Sequence, residues 1–228
     1  MSEQVPPVGL RFAEAEDHRT LYERSHRVVN WLGRSALHLE IYGQENIPQS
    51  GGALLAANHR NFKDIFFLPA AVERRHVTMV SKHELLRVPA LGWYLRSLGA
   101  IPVHREGPTK SEMEAMLQKL KEGRIVASFP EGTRSKKRRK ELHEADMEEF
   151  KPGTAWLARR AGALTIPVAI YAMDGPVRGW HGIAFGMPAE PPAHKKDEEQ
   201  WTLDLHADIK KLYEFLHQQR TKSLLKSN

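Results

Sequence analysis

His59 and Asp64 stand close together in the chain, with Arg60, Asn61, Phe62 and Lys63 between them. An imidazole bonded through one ring nitrogen to a carboxylate keeps its other nitrogen for a proton, and the carboxylate stabilises the imidazolium that results. Such a pair is a competent general base, and a substrate hydroxyl is the group whose proton it would take. If residues 59 to 64 were all helical, five steps of about 100° would leave the two side chains on different faces. The spacing therefore predicts that His59 precedes a helix and that its ring folds back to Asp64 over the first turns.

A second cluster is Phe129-Pro130-Glu131-Gly132-Thr133-Arg134-Ser135. It combines a glycine that lets backbone approach a ligand, the Thr133 hydroxyl, and the planar guanidinium of Arg134, whose fork suits phosphate oxygens. Glu131 would repel a phosphate, so its expected role is to orient an arginine or to bond an acceptor hydroxyl. A bare His-x4-Asp is a weak signal; the longer string gives it weight.

Both clusters need a frame, and the pattern of residues supplies one. Short apolar runs at Ala53 to Ala57, Val77 to Val80, Ala100 to Val103, Arg124 to Phe129 and Thr165 to Tyr171 read as strands. Helical stretches alternate with them at Ile65 to Arg75, Lys110 to Lys121 and Thr154 to Ala161, and a closing helix is expected from about Glu199 to Gln219. This rhythm predicts a single α/β domain with a mostly parallel or mixed central sheet flanked by helices. His59 and the 129–135 cluster each follow a strand, which is where open α/β sheets place their ligands. Ahead of the sheet, Leu21, Val28, Leu32 and Leu39 share one helical stripe, so residues 1–40 read as an N-terminal amphipathic segment. Residues 41–220 form the expected catalytic domain, with a surface loop from Pro188 to Glu199 and a flexible tail at 221–228.

Composition narrows the chemistry further. The 228 residues include no cysteine, which removes thiol nucleophiles, disulfides and thiolate metal sites. A net charge of +6 favours anionic partners. No zinc-finger spacing and no aromatic-plus-basic strand argues for nucleic acid, so none is expected as a partner. His83-Glu84 and His143-Glu144 lack the second histidine of H-E-x-x-H, and no metal is expected. There is no G-x-S-x-G elbow, P-loop or G-x-G-x-x-G. The longest apolar run, Ile65 to Val72, has eight residues against the roughly 20 needed to cross a bilayer. Met1 to Gly9 lack the pattern of a secretory signal, so the expected location is cytoplasmic. Leu85, Leu86, Val88, Leu91, Trp93, Tyr94 and Leu95, the N-terminal segment, and the basic run Lys136 to Lys140 are candidate contacts to an anionic membrane surface.

Taken together, the two clusters resemble those of the 1-acylglycerol-3-phosphate acyltransferase family, within the wider glycerolipid acyltransferases with a His-x4-Asp motif. The resemblance extends from about residue 40 to residue 172. Gly99-Ala100-Ile101-Pro102-Val103-His104-Arg105 resembles the family's second block, Thr165-Ile166-Pro167-Val168 its fourth, and Ser81-Lys82-His83-Glu84-Leu85 the segment between the first two. The resemblance implies that His59 and Asp64 are catalytic and that Arg105, Glu131, Gly132, Thr133 and Arg134 contact the glycerol phosphate, with Lys82 a further substrate contact. It implies transfer of a fatty acyl group from acyl-CoA or acyl-carrier protein to the free hydroxyl of 1-acylglycerol 3-phosphate, giving phosphatidic acid, at the inner face of the cell membrane. The acyl carrier is a co-substrate, and no other cofactor is implied. Another lysophospholipid, a lyso-ornithine lipid or glycerol 3-phosphate are alternative acceptors. For the oxyanion, backbone N–H groups after His59 and the Lys82 ammonium are candidate donors.

Overall fold

Period-two alternation along the buried strands sorts the core into two faces. In Ala53–Ala57 every residue is buried, with Leu55 packing into one cluster and Leu54 into another. A strand covered on both sides reads as a continuous apolar run, which is why this segment lacks polar residues. The computed structural model describes residues 23–24, 27–28, 31, 39–59, 64–73, 75–104, 107–132, 147–172 and 180–226. The basic run at 136–140 and most of the N-terminal segment lie outside them.

Among the described residues the strands are β1 (Leu39–Tyr42), β2 (Ala53–Ala57), β3 (Val77–Lys82), β4 (Ile101–Val103), β5 (Ile125–Ser128), β6 (Leu164–Ala172) and β7 (His181–Phe185). They form one sheet in the order β1-β7-β6-β2-β5-β3-β4. All neighbours are parallel except β6 and β7, so the sheet is mixed. Helices α1 (Asp64–Ala70) and α2 (Pro89–Ser97) cover the Leu55 face, packing Phe67, Leu68, Tyr94 and Leu95 against it. On the other face α3 (Lys110–Lys121) and α4 (Gly153–Ala161) pack Met116, Leu120 and Leu157 around Leu54. Beside them, α5 (Glu198–Lys226) lays Leu205, Ile209 and Leu216 along β6 and β7.

The five expected strands are present, with ends shifted by a few residues. Strands β1 and β7 and helix α2 were not anticipated: β1 and β7 are short, and the apolar stretch holding α2 was read only as a candidate membrane contact. Leu39, placed on the helical stripe by periodicity, instead opens β1, and α5 continues to Lys226 through most of the expected tail. The start of α3 is written in Thr109-Lys110-Ser111-Glu112, a reciprocal capping box in which the Thr109 side chain accepts from the Glu112 N–H and the Glu112 carboxylate accepts from the Thr109 N–H.

The connections leave β2 and β5 in opposite directions. From β2 the chain passes through α1 on one face to reach β3; from β5 it passes through α4 on the other face to reach β6. Adjacent parallel strands whose crossovers diverge leave a crevice at their carboxyl ends.

Behind this crevice, His76 donates its Nε2–H to the Leu98 carbonyl at 3.0 Å. Burial, with smaller contributions from Arg124 and Lys119, pushes its pKa down to about 4. The unfolded ring takes a proton near pH 6.5, the folded one only near 4, so this contribution to stability is complete above 6.5 and is lost as the pH falls to about 4. The full loss is about 3 kcal/mol. Denaturant melts of wild type and His76→Gln between pH 7.5 and 4.5 should show a shallower decline for the variant; parallel curves would refute the assignment.

Candidate active site

Strand register brings the two sequence clusters together. Strands β2 and β5 pair in parallel with Ala56 beside Ser128. Continued past the strand ends, that register sets His59 beside Glu131, and the Glu131 Oε1 accepts the His59 backbone N–H at 2.9 Å. The His59 ring also stacks on Phe129, with centroids 4.1 Å apart and planes inclined by 24°.

His59 lies outside the helix, and Asp64 is the first residue of α1, as the angular argument required. Nδ1 of His59 lies 3.0 Å from Oδ2 of Asp64. Asp64 is fully buried, whereas the His59 side chain is 13% exposed. With Asp64 ionised, Nδ1–H is the donor, and the Nε2 lone pair is what the ring offers to the cleft. The first turn of a helix also favours the carboxylate's negative charge.

Asn58 secures the strand end from which His59 projects. It is wholly buried; its Nδ2 donates to the Ile170 carbonyl at 3.0 Å, and its Oδ1 accepts the Ile170 N–H at 2.6 Å. The side chain thus extends the β2–β6 ladder by one main-chain-like pair.

The cleft that His59 enters is walled by Ile65, Val80, Leu85, Leu91, Met116 and Leu157, with Lys82, His104 and Lys151 among its polar lining. Of the expected site residues, His59, Asp64, Lys82, Glu131 and Gly132 are described, and all but Asp64 and Glu131 line this cleft. Arg105, Thr133 and Arg134 lie outside the described residues.

Two of the expected residues show contacts that spacing did not reveal. Glu131 accepts the His59 backbone N–H and so ties the two loops together. Gly132 has φ of 79°, a left-handed conformation that disfavours other residues. A Cβ there would lie 2.9 Å from Cε of Lys151, so the space beside the glycine is taken by a side chain. Lys151 was missed: its backbone N–H donates to the Pro130 carbonyl at 3.0 Å, joining it to the loop. The only sequence signal was a lysine just before a Pro-Gly helix start. Phe129, quoted in the motif without a role, acquires one from its stacking.

Fold and site thus define an α/β protein with a histidine–carboxylate pair at the switch point of its sheet. Residues 38–171 match the family model described as Acyltransferase. A 1-acyl-sn-glycerol-3-phosphate acyltransferase from Bacillus subtilis is 29% identical over 62% of this chain and 65% of its own length. One from Pseudomonas aeruginosa is 34% identical over 68% of this chain and 58% of its own. The chain therefore spans less than two thirds of these relatives. The crystal structure of a 1-acyl-sn-glycerophosphate acyltransferase, PlsC, from Thermotoga maritima superposes with a TM-score of 0.69, covering 90% of this chain and 83% of that one at 23% identity, a likeness of fold. The chain belongs to the acyltransferase family.

Asn58→Ala should leave both main-chain groups of Ile170 buried and unpaired and lower stability by about 3 kcal/mol. A denaturant midpoint equal to that of wild type would show that the Asn58 clamp carries no weight.

Proposed function

We propose that the protein transfers a fatty acyl group from a thioester, acyl-CoA or acyl-carrier protein, to the free hydroxyl of 1-acylglycerol 3-phosphate, forming phosphatidic acid. The observation that carries this reading is the His59–Asp64 pair opening onto a mainly apolar cleft that Phe129, Pro130 and Gly132 also line. Relatives named as acyltransferases for this acceptor support the substrate class.

In this mechanism Nε2 of His59 takes the hydroxyl proton as the oxygen attacks the thioester carbonyl. The tetrahedral intermediate collapses, the C–S bond breaks, and the proton held on His59 passes to the departing thiolate. A thiol with a pKa near 8.5 is a good leaving group, so no covalent enzyme intermediate is required. Asp64 keeps the ring in the reactive tautomer; Glu131 and Phe129 hold its backbone and its plane. Lys82, at the end of β3 on the cleft wall, is the proposed contact to the oxyanion or to the substrate. By the family resemblance, Arg105, Thr133 and Arg134 grip the acceptor phosphate and so orient its hydroxyl.

The same reading puts the protein on an anionic membrane surface, at the cytoplasmic face. No helix among the described residues is long and apolar enough to cross a membrane. The apolar stretch around α2 divides between roles: Tyr94 and Leu95 are core, Leu85 and Leu91 line the cleft, and Val88 and Trp93 are exposed beside them. An amphiphilic substrate entering from a bilayer would meet this rim first.

His59→Ala should abolish transfer from acyl-CoA to 1-acylglycerol 3-phosphate while leaving the melting temperature near that of wild type; a folded variant with substantial turnover excludes the base. A panel including other lysophospholipids, lyso-ornithine lipid and glycerol 3-phosphate tests the acceptor. Glu131→Ala should lower kcat by about a hundredfold with acceptor KM little changed, because a displaced base slows chemistry. A raised acceptor KM with intact kcat would instead return Glu131 to the substrate. Flotation with anionic vesicles should weaken on replacing Val88 and Trp93 by serine; equal flotation of wild type and variant would discount this rim.

A further inference from the structure

A second histidine in the cleft is wired like the first. Nδ1 of His104 lies 2.6 Å from Oε1 of Glu112, whose side chain is 4% exposed, while that of His104 is 64% exposed. The other carboxylate oxygen of Glu112 accepts the Thr109 N–H at 2.7 Å within the capping box of α3. The carboxylate is thus held at both oxygens, by the Thr109 N–H and by Nδ1 of His104, and His104, just past the end of β4, lines the same cleft as His59.

The helix cap needs only one oxygen of Glu112, and a glutamine would serve it as well. A carboxylate bonded to Nδ1 of an exposed imidazole does something more: it fixes the ring's orientation and turns Nε2 outward, toward a ligand. Among the described residues, the other ionisable groups lining the cleft are Lys82, Lys151 and His59, all basic. Basic donors converging on a cleft select an anion.

We propose that His104 is a phosphate-binding residue of this cleft and that Glu112 is its positioning residue. The inference rests on the acyl-transfer reading, in which both substrates can carry phosphate: the acceptor in its headgroup, acyl-CoA in its nucleotide and acyl-carrier protein in its prosthetic arm.

Kinetics of purified full-length variants at saturating co-substrate test it. His104→Asn keeps a donor near the Nδ1 position for Glu112 and removes the outward nitrogen. It should raise the KM of one substrate by about tenfold with kcat within about twofold, as expected for a lost charge-assisted bond. His104→Arg should recover most of that loss. Glu112→Gln, which preserves the cap, should raise the same KM by about threefold and add nothing to His104→Asn. A change confined to the acceptor assigns the headgroup phosphate; a change confined to acyl-CoA assigns the donor. Unchanged KM values in His104→Asn, or a fall in kcat that tracks a lowered melting temperature, overturn the proposal. A wild type that acylates only phosphate-free acceptors would refute the acceptor named above, and the acyl-CoA KM would still decide His104.

Discussion

The parallel pairing of β2 with β5 is the constraint on which the site depends. Its register, Ala56 beside Ser128, delivers two loops to one place: that of the imidazole and that of the Phe-Pro-Glu-Gly turn. A slip of one residue would turn Leu54 and Leu55 to opposite faces and pull His59 away from Glu131. Register is well specified because both faces of these strands are buried, so a misaligned strand would present the wrong side chains to both cores. The bond from the His59 N–H to Glu131 continues that pairing beyond the sheet, using a side chain once the backbone has turned away.

Around the His59 imidazole, order is built inward to outward. Asp64 is sealed and His59 is exposed on one side only. Asn58, immediately before, satisfies both main-chain groups of Ile170. Each of these polar groups lies where an unmet hydrogen bond is costly, so the cluster is rigid for the same reason that it is buried. The His104–Glu112 pair repeats the scheme nearer to solvent. In both pairs a carboxylate from the first turn of a helix, Asp64 of α1 and Glu112 of α3, holds an imidazole from a strand end. Helix N-termini stabilise negative charge, and strand ends at the switch point face the cleft, so the topology itself supplies both halves.

The cleft joins two environments that one substrate must share. Its walls come from the apolar faces of α1, α3 and α4, and its polar lining comes from loop and strand-end residues such as Lys82, His104 and Lys151. An amphiphile with an anionic head suits that division.

Much of this was legible in the chain. Continuous apolar runs identified the inner strands, because a strand buried on both faces is built mainly from apolar residues. The helical pattern from Lys110 to Lys121 identified α3, and the separation of His59 from Asp64 required a helix to begin between them. These are local signals, decided by neighbours along the chain. Strands β1 and β7 were not legible, since four or five residues with no strong alternation find their place only by pairing, β7 with β6 and β1 with β7. Nor was the role of Glu131: its charge argued against phosphate, but only the β2–β5 register reveals that its partner is a backbone N–H remote in sequence. Phe129, Lys151, His104 and Glu112 acquire their roles in the same way. Sequence by itself identified the candidate site residues and five of the seven described strands, because those depend on residue type and local periodicity. Tertiary structure alone decided which of them touch, because contacts between distant segments are set by strand order and register.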